Sequence, residues 1–376
     1  MSRTLVVTND FPPRAGGIQS FLHELLVRLP PEEVVVYAPA WPGAAAFDAA
    51  AKFPVVRHPG RLMLPGPPVA RRALELMHTY RCDRVLFGAA APLALLAPVL
   101  REGGARRAVG ITHGHEASWA AVPGGRAALR RIGAGLDVLT YLGDYTGRRI
   151  AGALAPADRP KLVRLRPGVD TAAFRPRAGG DQLRRELGLG DRPLVVCVSR
   201  LVPRKGQDVL IRALPAVRRE VPDAALLLIG DGPDRERLER LARGSGLAPH
   251  VVGAGAVPAH RLRAGYDAGN VFAMPCRTRR GGLDVEGLGM VFLEASAAGL
   301  PVVAGDSGGA PDAVRPAETG FVVDGRSVAE VAARLTELLA DPHRARRMGE
   351  CGRRWVLRDW SWERQAALLA ELLGLD

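Results

Sequence analysis

The stretch Glu286-Gly-Leu-Gly-Met-Val-Phe-Leu-Glu294, continued by Ala295-Ser-Ala-Ala-Gly-Leu-Pro-Val-Val-Ala304, decides how the rest of the chain is interpreted. Its glycines predict a loop, and the run from Met290 to Ala298 predicts a helix that begins directly behind that loop. The valines at its end predict a buried strand. A helix start behind a glycine-rich loop presents unpaired N–H groups and the positive end of the helix dipole. We therefore expect an anionic ligand at this position.

Two carboxylates accompany this loop and helix. Glu286 lies in the loop and Glu294 lies in the early part of the helix. A carboxylate is poorly suited to bind phosphate, but it accepts hydrogen bonds from hydroxyl groups such as those of ribose and other sugars. Considered singly, Glu286 could be a solvated loop charge and Glu294 a partner of the helix dipole.

Length and composition indicate an intracellular globular protein. A chain of 376 residues favours two domains, and 47% hydrophobic with 24% charged residues is a globular composition. No apolar run approaches the roughly 20 residues that span a bilayer. The N-terminus shows no signal peptide, so we expect a cytoplasmic location. The four cysteines are widely spaced, which indicates neither a disulfide framework nor a zinc site.

The basic charge is unevenly distributed. A net charge of +13 would ordinarily suggest a nucleic-acid partner. However, all but three of the 52 basic residues are arginine, a bias that a GC-rich coding sequence can produce. Residues 1–167 hold 22 basic and 12 acidic side chains, whereas residues 168–376 hold 30 and 27. The positive excess therefore belongs to the first half.

The first half reads as repeated strand-loop-helix units of a parallel sheet. The strand Leu5-Val-Val-Thr8 leads to a loop with Gly16 and Gly17, which lets the backbone approach a ligand at the carboxyl end of the strand. A later strand ends at His113 and His115. Side chains there lie on the ligand side of an open α/β sheet, and hydrogen bonding to substrate explains them more economically than a metal does.

The second half repeats this alternation after a break. Proline, glycine and a loss of periodicity mark a domain boundary near residues 168–192. The strand Leu194-Val-Val-Cys-Val198 then precedes Arg200 and Lys205. A guanidinium fork beside a lysine point charge suits a diphosphate. The chain is thus predicted to form two consecutive doubly wound α/β domains.

With these residues assembled, the chain resembles the retaining, nucleotide-sugar-dependent glycosyltransferases of family 4, which have the GT-B fold. The matching parts are Gly16-Gly17, Arg200 with Lys205, Gly230-Asp-Gly-Pro233, Glu286 with Glu294, and Ser307-Gly-Gly309. The resemblance implies two facing Rossmann-like domains and a C-terminal helix that crosses back to the first. Residues 1–168 would form the acceptor-side domain together with a helix at about 358–376. Residues 169–357 would bind the nucleotide sugar.

The same resemblance implies roles for individual residues. Glu294 would hold the ribose hydroxyls, Glu286 would contact the donor sugar, and Arg200 with Lys205 would neutralise the diphosphate. His113 would orient the sugar, with His115 as the second choice. The implied catalytic residues are His113, Arg200, Lys205 and Glu286. The implied nucleotide-sugar contacts are Gly16, Gly17, Arg200, Lys205, Glu286, Gly289, Met290, Val291 and Glu294.

A closer similarity lies in Val7-Thr-Asn-Asp-Phe-Pro-Pro-Arg14, Thr112-His-Gly-His-Glu116 and Met274-Pro-Cys-Arg-Thr278. These look like the actinobacterial mannosyltransferases that use GDP-mannose to add the second mannose to a phosphatidylinositol mannoside. That resemblance implies an α-1,6 linkage, an anionic phosphoinositide acceptor, and peripheral contact with the inner face of the plasma membrane. Because the chain has no Asp-x-Asp, we expect no obligatory metal and no cofactor beyond the sugar nucleotide.

Three other interpretations compete. A family 4 enzyme with another donor and a soluble sugar acceptor is the main rival. A basic nucleic-acid-binding protein would explain the charge but neither the cation pair nor the glutamate pair. An oxidoreductase would require a G-x-G-x-x-G between the first strand and helix, which is lacking.

The first half also carries a signal for contact with a membrane surface. The apolar loop Leu62-Met-Leu64 is accompanied by arginines, namely Arg71, Arg72, Arg126, Arg130 and Arg131.

Overall fold

The computed structural model describes residues 3–114, 116–282 and 284–375. These residues divide into two compact units. The first unit runs up to Gly168 and also includes the residues from Trp362 onward, and the second runs from Val169 to Ser361.

Parallel strands build the sheet of the first unit. Its seven strands, counted over the described residues, are β1 (Arg3–Val7), β2 (Val34–Pro39), β3 (Val55–His58), β4 (Cys82–Phe87), β5 (Arg107–Gly110), β6 (Val138–Tyr141) and β7 (Leu162–Arg164). The helices between them are α1 (Gly17–Leu26), α2 (Ala44–Ala50), α3 (Pro67–Tyr80), α4 (Ala97–Glu102), α5 (Glu116–Trp119), α6 (Pro123–Gly135) and α7 (Asp144–Ala153). The spatial order of the strands is β3-β2-β1-β4-β5-β6-β7.

The second unit has the same design. Its six strands within the described residues are β8 (Leu194–Val198), β9 (Ala225–Ile229), β10 (Val251–Gly255), β11 (Val271–Met274), β12 (Val302–Gly305) and β13 (Gly320–Val323). Its helices are α8 (Gly180–Glu186), α9 (Gln207–Glu220), α10 (Arg235–Gly244), α11 (Ala259–Asp267), α12 (Met290–Ala297), α13 (Val328–Ala340) and α14 (Pro342–Asp359). The order is β10-β9-β8-β11-β12-β13, and the strands are again parallel.

In both sheets the spatial order of the strands reverses beside the first strand. In the first unit β1 lies between β2 and β4, and in the second β8 lies between β9 and β11. Ligands of open α/β sheets bind outside the carboxyl ends of the strands at such a reversal point. Runs such as Val34–Pro39 are buried throughout, as expected for strands covered on both faces. The predicted fold class, two Rossmann-like units, is confirmed.

A helix from the far end of the sequence completes the first unit. Helix α15 (Trp362–Leu373) places Leu369 and neighbouring apolar side chains in the same core as Phe21 of α1. Arg107 donates to the carbonyl of Leu372 at 2.9 Å, and Arg84 donates to that of Gly374 at 3.0 Å. Cations that bind terminal carbonyls stabilise a helix end. The predicted return of the chain to the first domain is therefore seen, with the helix beginning at Trp362.

No helix among the described residues combines the length and the apolar character that crossing a bilayer requires.

Candidate active site

Helix α12 begins at a glycine that no other residue could easily replace. Gly289 caps the helix with a φ of +81°, and a Cβ there would lie 2.5 Å from the ring of Phe292. The loop after β12 packs onto the same turn, since the N–H of Gly309 donates to the carbonyl of Glu286 at 2.9 Å. A Cβ on Gly309 would lie 2.0 Å from the carbonyl oxygen of Gly287. Both glycine motifs thus serve close packing around the start of α12.

A buried cluster of charges lies beside this helix start. One carboxylate oxygen of Glu286, Oε2, accepts from Nζ of Lys205 at 2.7 Å and from Nη1 of Arg204 at 2.6 Å. Arg204 also contacts Asp284 at 3.2 Å. Glu286 is 7% exposed and Lys205 is 8% exposed, so these bonds are shielded from water. Two cations on one oxygen fix the carboxylate, and with Asp284 included the charges of the cluster balance.

Arg200, unlike Lys205, lies outside the buried cluster. Its side chain is exposed, and no hydrogen bond or ion pair joins the guanidinium group to any residue the structure describes. The backbone beneath it is fixed, because Gln207 donates to the carbonyl of Arg200 at 3.1 Å and to the hydroxyl of Ser199 at 2.8 Å. The structure therefore brings Lys205 to Glu286 but leaves Arg200 free to reorient toward a ligand.

Glu294 is held by a tyrosine. The hydroxyl of Tyr266 donates to Oε2 of Glu294 at 2.6 Å, and Tyr266 is fully buried. Burial raises the pKa of Glu294 above its ordinary value, and the hydrogen bond from Tyr266 opposes that rise. Burial together with the charge of Glu294 raises the pKa of Tyr266 well above 10. The tyrosine is thus a permanent donor to the carboxylate.

The first unit has its own set of groups at the carboxyl ends of its strands. Helix α1 begins at Gly17, which was predicted to lie in the loop, and Gly16 is its N-cap. The ring of His113 makes an edge contact with Phe21 and bonds through Nε2 to the carbonyl of Gly88 at 2.6 Å. Since a carbonyl only accepts, Nε2 carries the proton in that bond. The alternative histidine, His115, lies outside the described residues.

No three histidine, cysteine, aspartate or glutamate side chains in the described part of the chain form a group that could hold a metal ion.

Comparison with known proteins places this arrangement in a family. Residues 15–173 match the model described as Glycosyltransferase Family 4, and residues 180–355 match Glycosyl transferases group 1. A GDP-mannose-dependent alpha-(1-6)-phosphatidylinositol monomannoside mannosyltransferase from Mycobacterium tuberculosis is 54% identical over 100% of this chain and 99% of its own length. The chain belongs to glycosyltransferase family 4. The enzyme of the same name from Mycolicibacterium smegmatis is also 54% identical, with 98% of each chain covered.

Solved structures support the fold of this family 4 glycosyltransferase. HepE from Anabaena in complex with UDP has a TM-score of 0.79 at 18% identity, and 99% of each chain is covered. WaaG, a glycosyltransferase involved in lipopolysaccharide biosynthesis, has a TM-score of 0.66 at 17% identity, covering 98% of this chain and 99% of its own. The predicted GT-B fold and the predicted family are both confirmed.

Sequence reasoning missed three residues of this glycosyltransferase that contact the predicted ones. Arg204 binds Glu286, Tyr266 binds Glu294, and Glu116 accepts from the backbone N–H of His113 at 3.0 Å. Arg204 is adjacent to Lys205 in sequence, so its position was a usable signal. Tyr266 lies 28 residues before its partner, on another helix, and carried no local signal.

Proposed function

We propose that this glycosyltransferase moves mannose from GDP-mannose to a phosphatidylinositol mannoside, forming an α-1,6 linkage with retention of configuration. The observation that carries the chemistry is the shielded cluster of Lys205, Arg204 and Glu286 beside the first turn of α12. The identity of donor and acceptor rests on the full-length identity of 54% to relatives with that activity in their names.

The site suits the departure of a nucleoside diphosphate. Breaking the sugar–phosphate bond develops negative charge on the diphosphate, and fixed cations and amide donors stabilise that charge without reorganisation. Lys205, together with the exposed Arg200, would supply the cations. The first N–H groups of α12, from Met290 and Val291, have no acceptor within the helix and would supply the amide donors.

Glu286 and Glu294 divide the remaining work of donor binding. Glu294, fixed by Tyr266, would accept the ribose hydroxyls, and Glu286 would accept a hydroxyl of the donor sugar through the oxygen that Lys205 and Arg204 leave open. The positive charge that develops on the sugar carbon would be balanced by the leaving diphosphate itself. That diphosphate would also take the acceptor proton on the same face, which gives retention. His113 would orient the sugar.

We also propose that the first unit docks on the anionic inner face of the membrane. Its loop before α3 is pinned by Asn9, whose side chain bonds the backbone N–H of Met63 at 2.7 Å and its carbonyl at 2.9 Å. Met63 is buried, while Leu62 and Leu64 are 59% and 62% exposed. Exposed apolar side chains held outward on a rigid loop suit shallow insertion into a lipid surface.

Exposed arginines on another helix of the first unit would add the charge for docking. Helix α6 buries Leu129 and Ile132 and exposes Arg126, Arg130 and Arg131 to solvent. Each arginine near an anionic surface contributes roughly 1 kcal/mol, so three together give useful but reversible and salt-sensitive binding.

Product analysis with a panel of substrates tests the transferase proposal. We expect mannosylated lipid from GDP-mannose and phosphatidylinositol monomannoside, and little product from UDP-sugars or from free sugar acceptors. Efficient transfer to a soluble sugar, with none to the lipid, would favour the rival acceptor. Binding of NAD more tightly than GDP would contradict the whole assignment.

Vesicle co-sedimentation tests the docking proposal. Binding should be strong to vesicles that contain phosphatidylinositol at low salt, and weak to neutral vesicles. Replacing Arg126, Arg130 and Arg131 with serine should reduce it, whereas a control with the same loss of charge should not. Suitable control residues are exposed arginines of the second unit: Arg219, Arg243 and Arg347. Equal binding to neutral and anionic vesicles would refute docking by charge.

A further inference from the structure

The second unit contains a strongly basic cavity outside the residues assigned to donor binding. We call it the arginine pocket. It is open to solvent and has a volume of about 480 Å³. Its lining residues are Asp208, Val209, Arg212, Arg277, Arg279, Arg280 and Arg326. Five guanidinium groups therefore surround one carboxylate.

That single carboxylate is already engaged. Asp208 is 4% exposed, and Nη2 of Arg277 binds both of its oxygens at 2.9 and 3.0 Å. Arg212 approaches the same carboxylate at 3.3 Å, and Arg237 approaches it at 3.9 Å. The negative charge of Asp208 is thus shared among several cations and cannot neutralise the rest of the pocket.

The other arginines keep their charge available. Arg326 donates to the backbone carbonyl of Thr278 at 2.6 Å, which fixes its position without neutralising it. Arg279 and Arg280 form no side-chain hydrogen bond or ion pair with the residues that the structure describes. Like charges gathered around one cavity repel one another, and a bound anion would relieve that repulsion.

The positive field reaches beyond the pocket lining. The pKa of Asp234 lies below its ordinary value, mainly because Arg237 donates to this carboxylate at 2.7 and 2.6 Å. The charges of Arg277 and Arg279 lower it further. These arginines therefore stabilise negative charge that is placed near them.

We propose that the arginine pocket binds a phosphoryl group, as a second anion site separate from that of the donor diphosphate. Guanidinium forks match phosphate oxygens in pairs, and arginine is the side chain that favours such planar recognition. The cavity also has room for a polyol attached to the phosphate. A lining residue contacts the active-site loop, since the N–H of Arg277 donates to the carbonyl of Arg204 at 2.8 Å.

Calorimetry with inorganic phosphate tests this site directly, and only the step that blocks the donor site with GDP rests on the proposed function. The full-length protein is first saturated with GDP to fill the donor site, and ionic strength is held constant with chloride. We expect phosphate to bind under these conditions. The double variant Arg279→Ser/Arg280→Ser should bind about tenfold more weakly, since it loses two charge-assisted donors. The control Arg219→Ser/Arg347→Ser, with the same change in charge, should bind like the wild type.

Either of two results would overturn the proposal. If GDP abolishes phosphate binding, the anion occupies only the donor site. If both double variants lose affinity equally, the effect is one of net charge and not of the pocket. Because Arg280 is exposed and Arg279 is half-buried, a melting curve suffices to verify folding. Arg326→Ser, on a different part of the chain, should also weaken phosphate binding and gives an independent check.

A second arm distinguishes a lipid headgroup from free phosphate. Glycerophosphoinositol is titrated in the same way, and vesicles of phosphatidylcholine with phosphatidylinositol are sedimented with each variant. Loss of headgroup and vesicle binding in Arg279→Ser/Arg280→Ser, but not in the control, would identify the lipid headgroup as the source. Loss of inorganic phosphate binding alone would identify free phosphate.

Discussion

Replacing Tyr266 with phenylalanine removes a single oxygen from the site and nothing else. The buried ring would keep its contacts with Phe174 and Phe272, whose centroids both lie 5.6 Å away. The lost interaction is the 2.6 Å hydrogen bond to Glu294. A hydrogen bond to a charged acceptor contributes about 1.5–3 kcal/mol, so we expect the free energy of unfolding to fall by about 2 kcal/mol at neutral pH.

The size of this loss should depend on pH. Burial has already raised the pKa of Glu294, and loss of the tyrosine hydroxyl lets that pKa rise further. A carboxyl group with a raised pKa in the folded state makes the fold less stable as pH climbs from its unfolded to its folded pKa. The deficit of Tyr266→Phe should therefore be smaller in acid, where Glu294 is protonated in both proteins, and should grow with rising pH.

Donor binding provides the functional measurement. If ionised Glu294 accepts the ribose hydroxyls, the acid limb of the profile of kcat/KM for GDP-mannose should move to higher pH in Tyr266→Phe. GDP affinity should fall about tenfold, which corresponds to 1.4 kcal/mol. Tyr80→Phe is the matched control, since no hydrogen bond of its hydroxyl to a described residue is seen. Unchanged GDP affinity and an unmoved acid limb would refute a positioning role for Tyr266.

Other predictions concern charge, metal and packing. Lys205→Ala and Arg200→Ala should each lower kcat/KM by a factor that corresponds to about 2–4 kcal/mol. The melting temperature of Arg200→Ala should change little, because Arg200 is exposed. Full activity of both variants would reject the proposed roles of these residues. Activity should survive EDTA, whereas complete loss that Mg²⁺ restores would show an obligatory metal. Leu369→Ala should cost about 2–5 kcal/mol of stability because Leu369 is fully buried, whereas the exposed control Leu357→Ala should cost little. Equal melting temperatures of these two variants would contradict the packing of α15.

The fold was predictable because its signals are local. Helix α12 and strand β12 follow from glycine, proline and apolar runs that are contiguous in sequence, and the structure places them at Met290–Ala297 and Val302–Gly305. Such patterns state which elements form and in which order. The reversal of strand order beside β1 and β8 is a property of the whole sheet, and the sequence pattern indicated it only as part of the doubly wound fold class.

Contacts within the site were less accessible to sequence reasoning. The motif glutamates were recognised, but their partners depend on how distant loops meet. Glu286 accepts hydrogen bonds from Arg204 and Lys205, which lie more than 80 residues earlier in the sequence. Tyr266 donates to Glu294 from another helix. Arg200 and Lys205 are separated by four residues, yet a 3-10 turn at Pro203–Lys205 directs only Lys205 into the buried cluster. Spacing alone cannot reveal that difference.

The placement of α15 in the first unit has a consequence for how the chain is made. Residues 362–373 fill part of the core that Phe21 and Leu22 also line, but they are synthesised after the whole of residues 169–361. On the ribosome, the second unit can therefore fold while the first still exposes an apolar groove. Domains usually fold in the order of their synthesis. Here the first unit can complete its core only after the second unit has been synthesised. A nascent chain stalled before Trp362 would therefore expose an apolar surface to which chaperones can bind.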